Sequence, residues 1–100
     1  MDIFSALADP TRRSILTLLA KQGGLSVNEI FHKFPISQPA ISQHLKVLRN
    51  AKLVDVSKNE QKHIYAINTS SIDSLQNWAQ EMKQLWTSRL DRLDDVLKKL

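Results

Sequence analysis

The chain has 100 residues, a formal net charge of +4 and no cysteine. That length makes one domain with a small core, of a kind often completed by a partner subunit, and the lack of cysteine excludes a disulfide framework or a thiolate metal site. The positive charge favours an anionic partner and is unevenly placed: up to Thr69 there are nine Lys or Arg against five Asp or Glu, and from Ser70 to Leu100 five of each.

In chain order, DIFSALA (residues 2–8) predicts a short apolar helix. Its apolar run, Ile3 to Ala8, is too short for a signal peptide or a membrane span, so no membrane partner and a cytoplasmic location are expected. Asp9-Pro10 restarts the chain, with Asp9 as N-cap and Pro10 at the first helical position. Ile15, Leu16, Leu18 and Leu19 form the core side of this second helix, and Gly23-Gly24 stops it by supplying a left-handed conformation. Arg12 and Arg13 lie at the end of the helix that the dipole makes unfavourable for cations. They are expected to pair with a carboxylate, Asp9 or another, rather than to touch DNA.

Ser26 caps the next helix, and Glu29 completes a capping box. Val27, Ile30, Phe31 and Phe34 give it one apolar face, and Pro35 places the turn at Phe34–Ile36. A further helix begins at its cap Ser37, with Pro39 in the first turn. Ile41, Leu45 and Leu48 point inward. Pro39, Gln43, Lys46 and Asn50 point outward, with Gln38 and Ser42 on the flank. This outer face holds amides, a hydroxyl and a lysine but no carboxylate. A DNA major groove, with base donors and acceptors beside anionic phosphates, suits such a face. A merely solvated face remains the alternative on this stretch alone.

Two β-branched, partly alternating runs, Leu53–Ser57 and His63–Asn68, flank the polar KNEQK and predict a two-stranded hairpin. Lys58 and Lys62 at its tip suit phosphate or the minor groove, and a plain solvated loop is the alternative. Without glycine at the tip, Asn59 is the residue expected to take a positive φ. Ser70 is read as the cap of a last helix that no Gly or Pro interrupts before Leu100, roughly 45 Å long at the usual rise per residue. Ala79, Met82, Trp86, Leu90, Leu93, Leu97 and Leu100 step along it by three or four, and Asp94–Lys98 and Asp95–Lys99 are i,i+4 pairs. The stripe, which Trp78 and Leu85 widen, exceeds what the head can cover, so a second copy of the helix is the expected partner, ahead of a helix folded back on its own head or laid on a membrane surface. Its zero net charge disfavours an anionic membrane surface.

ALADPTRRSILTLL, then ISQPAISQHLKVLRNAKLV, then a basic hairpin ending in IYAIN resemble the ArsR-type winged helix-turn-helix repressors across residues 3–68. The resemblance implies a mainly α fold: a winged helix-turn-helix with a two-stranded β-hairpin and a long C-terminal dimerisation helix. It implies a head over residues 1–69 and a dimerising helix over 70–100. It implies a homodimer that represses transcription from an inverted-repeat operator of double-stranded DNA. Ser37, Gln38, Pro39, Ser42, Gln43, Lys46, Lys58 and Lys62 are the expected DNA-binding residues. The first and last helices, with Ile3, Phe4, Trp78, Met82, Leu85, Trp86, Leu90 and Leu93, form the expected dimer interface.

The chain departs from the metal sensors of that family. SVNEIFHKF lacks their Cys-x-Cys run, and the last helix has no histidine. His32, His44 and His63 are scattered, and His44 reads as a packing residue. No metal or cofactor is expected. The long last helix could line a pocket for an apolar effector or only strengthen the dimer. Catalysis is not expected: there is no Gly-rich phosphate loop, zinc motif or G-x-S-x-G elbow, and Ser42 and His44 diverge on their helix. A winged-helix protein-interaction module is the remaining rival, and the acid-free face with its basic hairpin speaks against it.

Overall fold

Two carboxylates start the first two helices. In the computed structural model, which describes residues 2–100, α1 spans Ile3–Leu7 and α2 spans Pro10–Gln22. Asp2 accepts from the Ser5 N–H at 2.7 Å and Asp9 from the Arg12 N–H at 3.0 Å, so each satisfies an amide that the helix leaves without a partner. Gly23 ends α2 at φ 80° and ψ −151°. This is a glycine-favouring conformation, but not the left-handed helical one expected there. Gly24 is needed for space, because a Cβ would lie 2.7 Å from Cγ2 of Ile64.

Arg12 and Arg13 bond chiefly to carbonyls, not to the carboxylates expected of them. Arg12 donates to the Ala6 carbonyl at 2.7 Å and the Ser5 carbonyl at 3.2 Å, and Arg13 to those of Leu7 at 2.6 Å and Ala8 at 3.2 Å. The carbonyl end of α1, with its partial negative charge, lies against the start of α2, so both arginines cap the preceding helix.

The chain then forms β1 (Leu25–Ser26), α3 (Val27–Phe31) and α4 (Gln38–Asn50). The capping box at Ser26 and Glu29 is present, with bonds of 3.1 and 3.2 Å. α3 stops at Phe31, short of the expected Phe34. Tighter bonds from Lys33 N to the Ile30 carbonyl and from Phe34 N to the Phe31 carbonyl carry the chain out of the helix. Ser37 caps α4 by accepting from the Ala40 N–H at 3.2 Å, and Ile41, Leu45 and Leu48 are fully buried, as their spacing requires. Lys52, at φ 62°, closes α4: its N–H reaches the Arg49 carbonyl, and the Leu53 N–H reaches the Leu48 carbonyl.

The hairpin pairs β2 (Val54–Asn59) with β3 (Lys62–Ile67). The positive φ falls on Glu60, at 58°, and not on Asn59, because Asn59 is still paired with Lys62 in the ladder. The sheet has three strands, in the order β1-β3-β2, where two were expected. The added β1 joins β3 through Leu25↔Tyr65 and Ser26↔Ile64, and its two residues are too few to show an alternating pattern.

α5 covers Thr69–Lys98, 30 residues. Its cap is Asn68 and not Ser70. Asn68 accepts from the Ser71 N–H at 3.1 Å, while its own N–H donates to the Leu53 carbonyl. The Ser71 hydroxyl donates to the Lys52 carbonyl, which fastens the start of α5 to the turn after α4. The core, built on Ile15, Ile30, Ile41, Leu45, Leu48 and Leu53, lies entirely in the head, and α5 buries no residue. The helix therefore projects, and the molecule measures 69 × 25 × 24 Å. Among the described residues no helix is long and apolar enough to cross a membrane.

Candidate nucleic-acid interface

The buried edge of α4 determines what its other edge presents. With Ile41, Leu45 and Leu48 packed inward, Gln38, Pro39, Ser42, Gln43, Lys46 and Asn50 all stand exposed on one ridge without a carboxylate. Ser37 begins the ridge, but its hydroxyl is already used as the helix cap. His44, expected to pack, is half-buried and does more: Nδ1 lies 3.4 Å from the Arg12 guanidinium and 3.9 Å from the Asp9 carboxylate. It ties α4 to the start of α2. The Arg12 N–H, and behind it the charges of His44 and Arg12, hold the Asp9 carboxyl below the usual carboxylate range.

Lys58 and Lys62 are both exposed, but the ladder separates them. Lys58 pairs with His63 and Asn59 with Lys62, and strand alternation puts successive pairs on opposite faces of the ribbon. The lysines therefore flank the hairpin instead of forming one patch. Where β3 runs past the end of β1, an open cleft of about 390 Å³ lies between the hairpin and the helix pair. Asn28, Glu29, Gln38, Gln61, Lys62 and His63 line it. Of these, only Gln38 and Lys62 are among the expected DNA-binding residues. The others have no mark in the sequence, since the β1–β3 pairing alone brings α3 to the hairpin.

The expected interface residues divide between two places. Phe4 of α1 meets Trp78 of α5 edge to face, ring centroids 5.0 Å apart, while Ile3 is half-buried against the core. Met82, Leu85, Trp86, Leu90 and Leu93 are 39 to 60% exposed along the projecting helix. No soluble monomer gains by leaving such a stripe in water.

Residues 9–56 match the family described as "Bacterial regulatory protein, arsR family". The transcriptional repressor SdpR of Bacillus subtilis is 39% identical over 77 residues, 77% of this chain and 84% of that protein. The HTH-type transcriptional regulator Rv2034 of Mycobacterium tuberculosis is 38% identical over 87 residues, 87% of this chain and 78% of that protein. The solved structure of an ArsR-like transcriptional regulator from Rhodococcus sp. RHA1 superposes with a TM-score of 0.85 at 26% identity, covering 94% of this chain and 88% of that one.

Proposed function

Since the chain belongs to the ArsR family of bacterial regulatory proteins, transcriptional regulators and not enzymes, we propose that it is a homodimeric repressor of an inverted-repeat operator. Residues 1–69 form the DNA-reading head and 70–100 the dimerising helix. The ridge from Ser37 to Lys46 enters the major groove, with Gln38, Ser42 and Gln43 reading base edges and Lys46 at the backbone. Lys58 and Lys62 engage flanking phosphates.

The observation that carries this reading is the 30-residue helix with no buried residue, set behind an acid-free ridge. Its spacing favours one pairing. Ile72, Leu75, Ala79, Met82, Trp86, Leu90, Leu93, Leu97 and Leu100 are separated by 3, 4, 3, 4, 4, 3, 4 and 3 residues, a series that reads alike in both directions from Trp86. Two such helices laid antiparallel, with the two-fold axis at Trp86, match each of these nine positions with an apolar mate. The heads then stand at opposite ends, each offering its α4 to the same face of a duplex.

The chain has no cysteine, and so none of the thiolates that a metalloid would take as ligands. Sedimentation of the pure protein, with electrophoretic shift of a mixed-sequence duplex across a salt series, tests the proposal. A dimer whose affinity falls steeply with salt supports it, and a monomer or a salt-independent shift rejects it.

A further inference from the structure

The Arg12 guanidinium is used on three sides. Its Nε donates to the Ala6 carbonyl at 2.7 Å, one terminal nitrogen donates to the Ser5 carbonyl at 3.2 Å, and the other lies 3.4 Å from Nδ1 of His44. A guanidinium only donates, so Nδ1 must accept, and the hydrogen of the neutral ring sits on Nε2. A second proton would go to Nδ1, which has the Asp9 carboxylate 3.9 Å away. In either state Nε2 carries a hydrogen. Nε2 has no partner within the protein, yet among the described residues no buried side-chain nitrogen lacks one, so Nε2 opens to water.

The ridge of α4 has two flanks. Gln38 lies on one, and it faces the hairpin across the cleft. His44 lies on the other, with Ala40 and Val47. A helix seated in a major groove has a phosphate strand on either side. The hairpin lysines serve the first strand, which leaves the second without a donor. Resting on the DNA-reading role above, we propose that His44 donates from Nε2 to a backbone phosphate on the flank away from the hairpin. Arg12 is the positioning residue. It turns the ring and fixes its tautomer, and it is itself anchored to the carbonyls of α1. Its charge also offsets the Asp9 carboxylate, which alone would repel that strand. A phosphate contact carries no base information, so this one serves every sequence alike and orients α4 in the groove.

Two amides separate the ring nitrogens. His44→Asn keeps an acceptor near the place of Nδ1 and loses the outer donor, whereas His44→Gln reaches the place of Nε2. Thermal melting checks both folds. The Asn variant should bind a mixed-sequence duplex about three- to tenfold more weakly than the wild type, the net worth of one hydrogen bond, and the Gln variant should stay within about twofold. Nitrogen NMR of the wild-type imidazole should show the hydrogen on Nε2, and that resonance should move when duplex is added. Arg12→Met, which cannot donate, should let the other tautomer appear, and an unchanged spectrum rejects the positioning role. A well-folded Asn variant that binds as tightly as the wild type overturns the proposal, as does a Gln variant no tighter than the Asn one. Should the Asn variant be too unstable to assay, the wild-type spectrum decides: an Nε2 resonance unmoved by bound duplex overturns the proposal. Failure of the wild-type protein to bind duplex at all would instead reject the DNA-reading role, so the two failures are distinguishable.

Discussion

Replacing Trp86 by alanine puts the pairing of α5 to its sharpest test. Trp86 is 60% exposed in the single chain. For an indole of about 250 Å² this is roughly 150 Å² in water, and a partner helix would cover about half. At about 25 cal/mol per Å², the loss is about 2 kcal/mol per copy and about 4 kcal/mol for a site that occurs twice in the dimer. The dimer dissociation constant should then rise roughly a thousandfold. Sedimentation equilibrium measures it. Operator binding should weaken in parallel, since a monomer engages only one half-site. The head should be unaffected, because Trp86 touches none of its core. Trp78, then the sole tryptophan, should keep its emission from the contact with Phe4. A Trp86→Ala protein that dimerises as tightly as the wild type would refute the axis placed at this residue.

Other substitutions separate reading from attraction. Gln43→Ala should cost about 1–3 kcal/mol on the preferred sequence and relax one base position, whereas equal loss on preferred and mixed duplexes would show that Gln43 reads nothing. Lys58→Ala should weaken binding on all sequences and reduce the salt slope by about one, and an unchanged slope would place that face of the hairpin off the DNA. The cap Asp9 predicts a pH effect. Its carboxyl is lowered on folding, so its stabilisation is complete above the unfolded value of about 4 and is lost as pH falls through the lower folded value. Asp9→Asn keeps the cap without titrating, so urea denaturation across that range should show a shallower acid loss.

Much of the architecture was legible where a local rule decides the outcome. Asp9-Pro10 and Ser37 with Pro39 mark helix starts because a cap and a fixed φ act within one turn, and the inward spacing of Ile41, Leu45 and Leu48 needs no distant partner. α5 was legible because nothing in its 30 residues breaks a helix. What escaped depends on tertiary contact. The two residues of β1 become a strand only because Ile64 and Tyr65 lie alongside. Arg12 and Arg13 find carbonyls because α1 folds back onto α2, which their own sequence surroundings do not encode. Asn68 displaces Ser70 as the cap because β3 ends where its side chain reaches the Ser71 amide. The meeting of Glu29 and Lys62 in one cleft follows from the β1–β3 register, and so was invisible before the sheet was assembled.

Selection of binding sequences from a random duplex pool by the purified protein tests most directly the idea that two tail-paired copies read DNA. Two like half-sites in inverted orientation, centred about one helical turn or roughly 34 Å apart, are the result expected of this geometry. A single unpaired motif, a direct repeat or no enrichment would contradict it.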